Sequence, residues 1–291
     1  MEWSVSALAN DVDSGVKPQR RVGGIPLRAF VPNAVTAMAL CCGLSAVRAA
    51  LEALTIAGSG GTASEIASAW GIAVLLIVGA GVLDGLDGRI ARLLKANTRF
   101  GAELDSLSDV IAFGVAPATL LYLWSLSDAP KFGWTAALSL TVCCALRLAR
   151  FNANIDVAEQ PHKSAGYNTG VPAPAGAGLA MLPLYLWLVS GEDLFRQWWV
   201  VMPWILFVAT LMIANVATFN WSSLRPRRES RLFAIAFIGL FGAASVTAPF
   251  ETLIGICAVY LGLIPFSAMS YAKVRRQRRT TAAAADAPVE P

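Results

Sequence analysis

From residue 28 to residue 272 the chain is a near-continuous series of apolar stretches, each about as long as a bilayer is thick. They fall at 28–51, 66–90, 103–126, 133–152, 172–190, 198–219, 231–249 and 252–272. About 20 mostly apolar residues wound as a helix cross the hydrocarbon core. Only 14% of the residues are charged, against about 25% in soluble domains. The expected fold class is therefore an all-α integral membrane protein. The last two stretches are short and meet at a tight turn around Pro249, so that hairpin reads either as two spans or as an interfacial or re-entrant element.

Charge orients the spans. Of 23 Lys and Arg residues, 20 fall in the N-terminal region up to Arg28, in Arg89–Arg99, Arg147–Lys163, Arg225–Arg231 and Lys273–Arg279. Only Arg48, Lys131 and Arg196 fall on the opposite side. Eight spans with both termini cytoplasmic satisfy the positive-inside rule. The net charge of +4 then belongs to loops facing anionic lipid, not to a nucleic-acid surface. The polar segment 1–25 has no short apolar core ending in a small-residue cleavage site, so no cleavable signal is expected there. Cys41, Cys42, Cys143, Cys144 and Cys257 all lie in apolar segments, with a spacing that suits small buried hydrophobes and neither a zinc site nor a disulfide framework. The Ala-rich tail after Arg279 reads as disordered.

Against this apolar background stand four carboxylates, Asp84, Asp87, Asp105 and Asp109, within 26 residues. An ionised Asp at membrane depth costs several kcal/mol and persists only beside a partner or a cation. Four like charges in one neighbourhood cannot all stay ionised unaided. One or two divalent ions with a preference for oxygen ligands, Mg2+ or Mn2+, answer that problem. Asp84, Asp87 and Ala91 share one helical face, and Gly101, Asp105 and Asp109 follow at four-residue steps. Residues 93–100 can form a short cytoplasmic turn, so two antiparallel helices would each present two carboxylates to a shared gap. Gly85, Gly88, Ala91 and Gly101 let backbones or a ligand come close. A metal pair about 3.5–4 Å apart suits in-line phosphoryl displacement. Arg92 can meet phosphate oxygens, and Asp109, deepest in its span, is the natural general base. The same carboxylates also fit a cation-coupled transporter, or structural ion pairs with Arg89, Arg92 and Arg99.

The spacing D-x2-D-G-x2-A-R-x8-G-x3-D-x3-D, carried by Asp84, Asp87, Gly88, Ala91, Arg92, Gly101, Asp105 and Asp109, resembles the signature of the CDP-alcohol phosphatidyltransferases. That resemblance implies a six-helix membrane core, a homodimer, and a site at the cytoplasmic interface. It implies two divalent cations on the four aspartates, Asp109 as base, and cytidine and diphosphate held around Asp87, Gly88, Ala91 and Arg92. Asn33 and Thr36, opening the first span, and Gly101 are expected beside the nucleotide. The resemblance covers roughly residues 26–220, leaving a polar segment 1–25, an additional transmembrane hairpin 221–275 and a cytoplasmic tail 276–291.

Within the family, Phe100–Asp109 with Phe113–Pro117, Ala145–Asn152 and Gly170–Pro174 resembles the branch that uses L-serine as acceptor for the phosphatidyl group of CDP-diacylglycerol. The branch that takes glycerol 3-phosphate typically has a Pro-Leu pair after the third aspartate and a Lys after the fourth. Here these positions are Ser106-Leu107 and Val110. Arg147 and Arg150, three apart at the end of the fourth span, are placed to bind the serine carboxylate or a phosphate; they also fit simple anchoring of the helix end. Asn152, Asn154 and the loop 156–168 are further candidates for that pocket. His162, the sole histidine, reads as an ordinary loop residue. The unrelated phospholipase-D-like transferases need His-x-Lys pairs and a covalent histidine, which this chain cannot supply. Glycerol 3-phosphate, inositol phosphate or choline as acceptor would keep the aspartates and change the pocket.

Overall fold

The computed structural model describes residues 21–22, 25–153, 167–214, 217–219 and 231–264. Among the described residues four helices, Phe30–Gly58, Ala63–Leu93, Arg99–Trp124 and Gly133–Ala153, are long and apolar enough to cross a membrane, and the bent pair Ala173–Ala180 and Leu182–Ser190 makes a fifth. Trp198–Ile213 and Pro249–Ile264 are shorter apolar helices, so there are fewer full-length spans than the eight apolar stretches imply. The polar segment 1–20, the pocket candidates Asn154 and His162, most of the loop 156–168, and the basic stretch Lys273–Arg279 with the tail lie outside the described residues.

The first two spans, α1 (Leu27–Gly58) and α2 (Ala63–Leu93), form a hairpin. At 32 and 31 residues they are about 45–48 Å long at 1.5 Å per residue, enough to carry both ends past the hydrocarbon core. The turn between them closes with a reciprocal cap. The Thr62 hydroxyl accepts from the Glu65 backbone N–H at 3.3 Å, and Glu65 Oε2 accepts from the Thr62 N–H at 2.8 Å. This satisfies two of the donors a helix start leaves open. The facing surfaces are lined with alanine: Ala46, Ala50, Ala53, Ala73 and Ala80 are fully buried. Small residues let membrane helices approach closely where no hydrophobic driving force exists between helix and lipid.

The third span runs Arg99–Trp124 in three pieces: α3 (Arg99–Asp109), a π-helical stretch Val110–Val115, and α4 (Ala116–Trp124). It lies so close to α1 that a Cβ on Gly43 would come within 2.8 Å of the Ala112 Cα. α5 (Gly133–Ala153) packs on the other side of the π stretch, where the Thr141 hydroxyl donates to the Gly114 carbonyl at 3.2 Å.

The fifth apolar stretch is a bent span. α6 (Ala173–Ala180) and α7 (Leu182–Ser190) meet at 41°. Pro183 lacks the N–H that would bond the Leu179 carbonyl four residues back. That carbonyl accepts instead from the indole Nε1 of Trp204 on α8 (Trp198–Ile213), at 2.8 Å. The sixth stretch ends six residues earlier than the apolar run suggests: β4 (Ala217–Phe219) leaves the helix and pairs antiparallel with β3 (Tyr167–Thr169). A second ladder, β1 (Arg21–Val22) with β2 (Ile25–Pro26), precedes α1. Among the described residues these two small ladders are the only strands in an otherwise all-α fold.

The C-terminal hairpin turns at Pro249, as its sequence suggests. α9 (Arg231–Thr247) leads into α10 (Pro249–Ile264). Phe233, Leu240 and Val246 of α9 are exposed, while Phe250, Leu253, Ile254, Tyr260, Leu261 and Ile264 of α10 pack against the core around a buried Cys257. Cys143, Cys144 and Cys257 are partly or fully buried free thiols, as expected; Cys41 is exposed on the outer face of α1.

Candidate active site

α2 and α3 are joined by five residues, Leu94–Thr98. The end of α2 is a Schellman turn: the Ala96 N–H donates to the Ala91 carbonyl at 2.9 Å and the Lys95 N–H to the Arg92 carbonyl at 3.2 Å. The residue in the left-handed position is Lys95, with φ 49°, where glycine is usual. α3 then starts on Thr98, whose hydroxyl accepts from the Gly101 N–H at 3.0 Å. The two carboxylate-bearing segments are thus locked side by side by local backbone chemistry.

This brings three of the four aspartates together. One carboxylate oxygen from each of Asp84, Asp105 and Asp109 lies within 4.8 Å of the others. Asp84 and Asp109 lie within electrostatic range of each other, and two carboxylates that close need a proton or a cation between them to coexist. Asp87 is not one of these three, but lines the same cleft as Asp105. It is buried, 5% exposed, and its Oδ2 accepts from the Thr36 hydroxyl of α1 at 2.6 Å. The same α1 turn is tied to α3 by Ser108, whose buried hydroxyl donates to the Thr36 carbonyl at 3.2 Å. Sequence reasoning did not single out Ser108; nothing in its spacing separates it from any other serine in an apolar span.

Beside the carboxylates opens a cleft of about 230 Å³, lined by Asn33, Thr36, Asp87, Gly88, Ala91, Asn97, Thr98, Gly101 and Asp105 among others. Gly88 faces open space, whereas a Cβ on Gly101 would sit 2.9 Å from Asn33 Oδ1. The two glycines therefore serve different ends, one leaving room for a ligand and the other for a neighbouring side chain. Asn33 lines the cleft, and its Nδ2 is buried with no hydrogen-bond partner among the described residues. Asn97 and Thr98 join this lining from the connecting loop. Arg92 does not line the cleft. It is exposed, and its Nε donates to the Gly88 carbonyl at 3.0 Å, which holds its side chain along α2.

The two arginines of α5 part company. Arg150 is exposed; Arg147 is partly buried, within electrostatic range of Asp109, and its Nε is buried without a hydrogen-bond partner among the described residues. Asn152 donates from Nδ2 to the Ser106 hydroxyl at 2.8 Å, tying α5 to α3.

The residues fit a divalent cation. Every donor in the cluster is a carboxylate oxygen, the set preferred by Mg2+ and Mn2+, and three such groups meet at a distance that like charges do not tolerate unaided. Chemically the arrangement suits a diphosphate. There is a cation-ready carboxylate cluster, a cleft with an open glycine and an amide side chain in its lining, and a partly buried guanidinium within electrostatic range of Asp109.

Comparisons with known proteins point the same way. The family model described as CDP-alcohol phosphatidyltransferase matches residues 29–219, and one described as CDP-alcohol phosphatidyltransferase 2 matches residues 229–265. A CDP-diacylglycerol–serine O-phosphatidyltransferase of Mycobacterium leprae is 37% identical over 238 residues, spanning 82% of this chain and 74% of the relative. A protein of the same description from Mycobacterium tuberculosis is 36% identical over 256 residues, 87% of this chain and 82% of the relative. One from Helicobacter pylori is 32% identical over 198 residues, 66% of this chain and 76% of the relative.

Proposed function

This chain belongs to the CDP-alcohol phosphatidyltransferases, and from that premise we propose that it transfers the phosphatidyl group of CDP-diacylglycerol to the hydroxyl of L-serine, giving phosphatidylserine and CMP. The observation that carries the reading is the meeting of Asp84, Asp105 and Asp109 beside a cleft lined by Asp87, Gly88 and Ala91. Serine as acceptor rests on the description shared by the relatives.

Asp84, Asp105 and Asp109 would hold the divalent ions, with Asp87 beside them. Bound there, Mg2+ or Mn2+ supplies neutralising charge to the diphosphate and to the departing CMP. The protein's own groups do the rest. Asn33, Thr36 and the open backbone at Gly88 seat the nucleotide, while Ala91 and Gly101 border it; Arg92, exposed one turn beyond Gly88, reaches the diphosphate only on giving up its bond to the Gly88 carbonyl. Arg147 binds the serine carboxylate, and Arg150 draws the amino acid in from the exposed end of α5. A carboxylate oxygen of Asp109 accepts the hydroxyl proton as the serine oxygen attacks the phosphorus that bears diacylglycerol. The bond from that phosphorus to the bridging oxygen breaks, and CMP leaves with that oxygen. The transfer is a single direct displacement, with no covalent intermediate on the protein.

In this reading residues 26–220 are the catalytic core, 221–275 an added hairpin, and the flanking 1–25 and 276–291 cytoplasmic segments. The site opens to the cytoplasm of the cell's inner or plasma membrane, and the protein works as a homodimer. The direct test is purified protein with CDP-diacylglycerol and Mg2+ or Mn2+, EDTA serving as the blank. CMP release and phosphatidylserine formation that depend on L-serine are expected. CMP release with glycerol 3-phosphate, inositol phosphate or choline in its place would reassign the acceptor, and no CMP release with any alcohol would sink the transferase reading.

A further inference from the structure

α10 reaches the site from outside the carboxylate-bearing helices. It starts beside the first third of α2, where Phe250 sits so near Gly71 that a Cβ there would come within 3.0 Å of the ring. Two turns on, the Cys257 thiol lies 3.6 Å from the Gly178 carbonyl of α6. Three residues further the same face presents Tyr260, whose hydroxyl is buried. Phe250, Leu253, Ile254, Cys257, Tyr260, Leu261 and Ile264 form one stripe at helical spacing, all against the core. Ten residues of helix separate Phe250 from Tyr260, about 15 Å along the axis. The Tyr260 phenol and the Arg147 guanidinium lie within electrostatic range of each other. Arg147 is thus within electrostatic range both of Asp109, the proposed base on the third span, and of the Tyr260 hydroxyl on α10.

We propose that Tyr260 is a positioning and specificity residue for the acceptor: with Arg147 it forms the end of the pocket that recognises the amino-acid carboxylate, and α10 is the element that completes it. A phenol both accepts and donates. It can take a hydrogen bond from the guanidinium, fixing its plane, and give one to a carboxylate oxygen that Arg147 holds. A hydrophobic residue there would leave Arg147 with its charge but without an orienting partner. This inference rests on serine being the acceptor.

The test is Tyr260→Phe in the purified full-length protein, which removes one oxygen and keeps the ring that packs on the core. The expected result is a rise of about tenfold in KM for L-serine, with KM for CDP-diacylglycerol and kcat at saturating serine unchanged. Val259→Ala, on the exposed neighbouring position of α10, should change none of these. In an Arg147→Lys background the Tyr260→Phe effect should largely vanish, since two residues acting on one carboxylate are not additive. An unchanged serine KM in Tyr260→Phe, or equal rises in both KM values, overturns the proposal while leaving the serine reading intact. Absence of serine-dependent CMP release in the unmodified protein overturns the serine reading itself.

Discussion

At the scale of single residues, the site is legible wherever a group is out of place. Asp84, Asp87, Asp105 and Asp109 stand out because a carboxylate in an apolar span must be explained. Their division is not legible. Three residues of helix leave Asp84 and Asp87 about 60° apart, and it takes the approach of α1 to give Asp87 a partner of its own, the Thr36 hydroxyl at 2.6 Å. The glycines carry a sharper prediction. Gly88→Ala adds a methyl in open space beside the cleft, so thermal stability should hold within about 0.5 kcal/mol while KM for CDP-diacylglycerol rises several-fold, measured by CMP release and a melting curve on one preparation. Asp109→Asn should lower the transfer rate by at least about 10²-fold, the usual contribution of a general base, with CDP-diacylglycerol still retained in a binding assay. Full activity in that variant would remove Asp109 from the role of base.

Among the elements, the existence of the helices follows from long apolar runs, but their breaks come from chemistry that a hydropathy pattern does not register. The π stretch after Asp109 has no marker in Val110–Val115; it is matched by a hydroxyl from α5 that reaches the Gly114 carbonyl. The bend at Met181 is half legible, because Pro183 announces it, whereas the repair by Trp204 depends on α8 lying alongside. The stop of α2 is hidden for a different reason: the residue in the left-handed position is Lys95, not glycine. An L side chain there costs roughly 1–2 kcal/mol. Lys95→Gly should therefore stabilise the α2–α3 turn by about 1 kcal/mol, read as a higher melting temperature in detergent, with activity preserved.

For the whole molecule, the order of the apolar stretches is legible in the sequence, whereas only four of them, or five with the bent pair, form helices long and apolar enough to span among the described residues. The sixth stretch ends at Ile213 because residues 217–219 pair with β3, a non-local pairing invisible to any window of sequence. Arrangement across the membrane follows from the distribution of Lys and Arg. Single cysteines at Lys131 and at Arg99, each in a background without the native thiols, should label differently in intact cells. An impermeant maleimide is expected to reach position 131 directly and position 99 only after permeabilisation, and the reverse pattern would invert the topology.

The five-residue connection between α2 and α3 bears on the order in which the enzyme comes into being. Closing so short a loop costs little chain entropy, so the aspartates can meet as soon as the second and third spans have entered the membrane. Tyr260 is made some 150 residues after Asp109, long after the cluster it serves. The nascent protein is therefore equipped for the nucleotide lipid well before it is equipped to choose an alcohol. Until the last helix docks, it is a donor site still waiting for its acceptor.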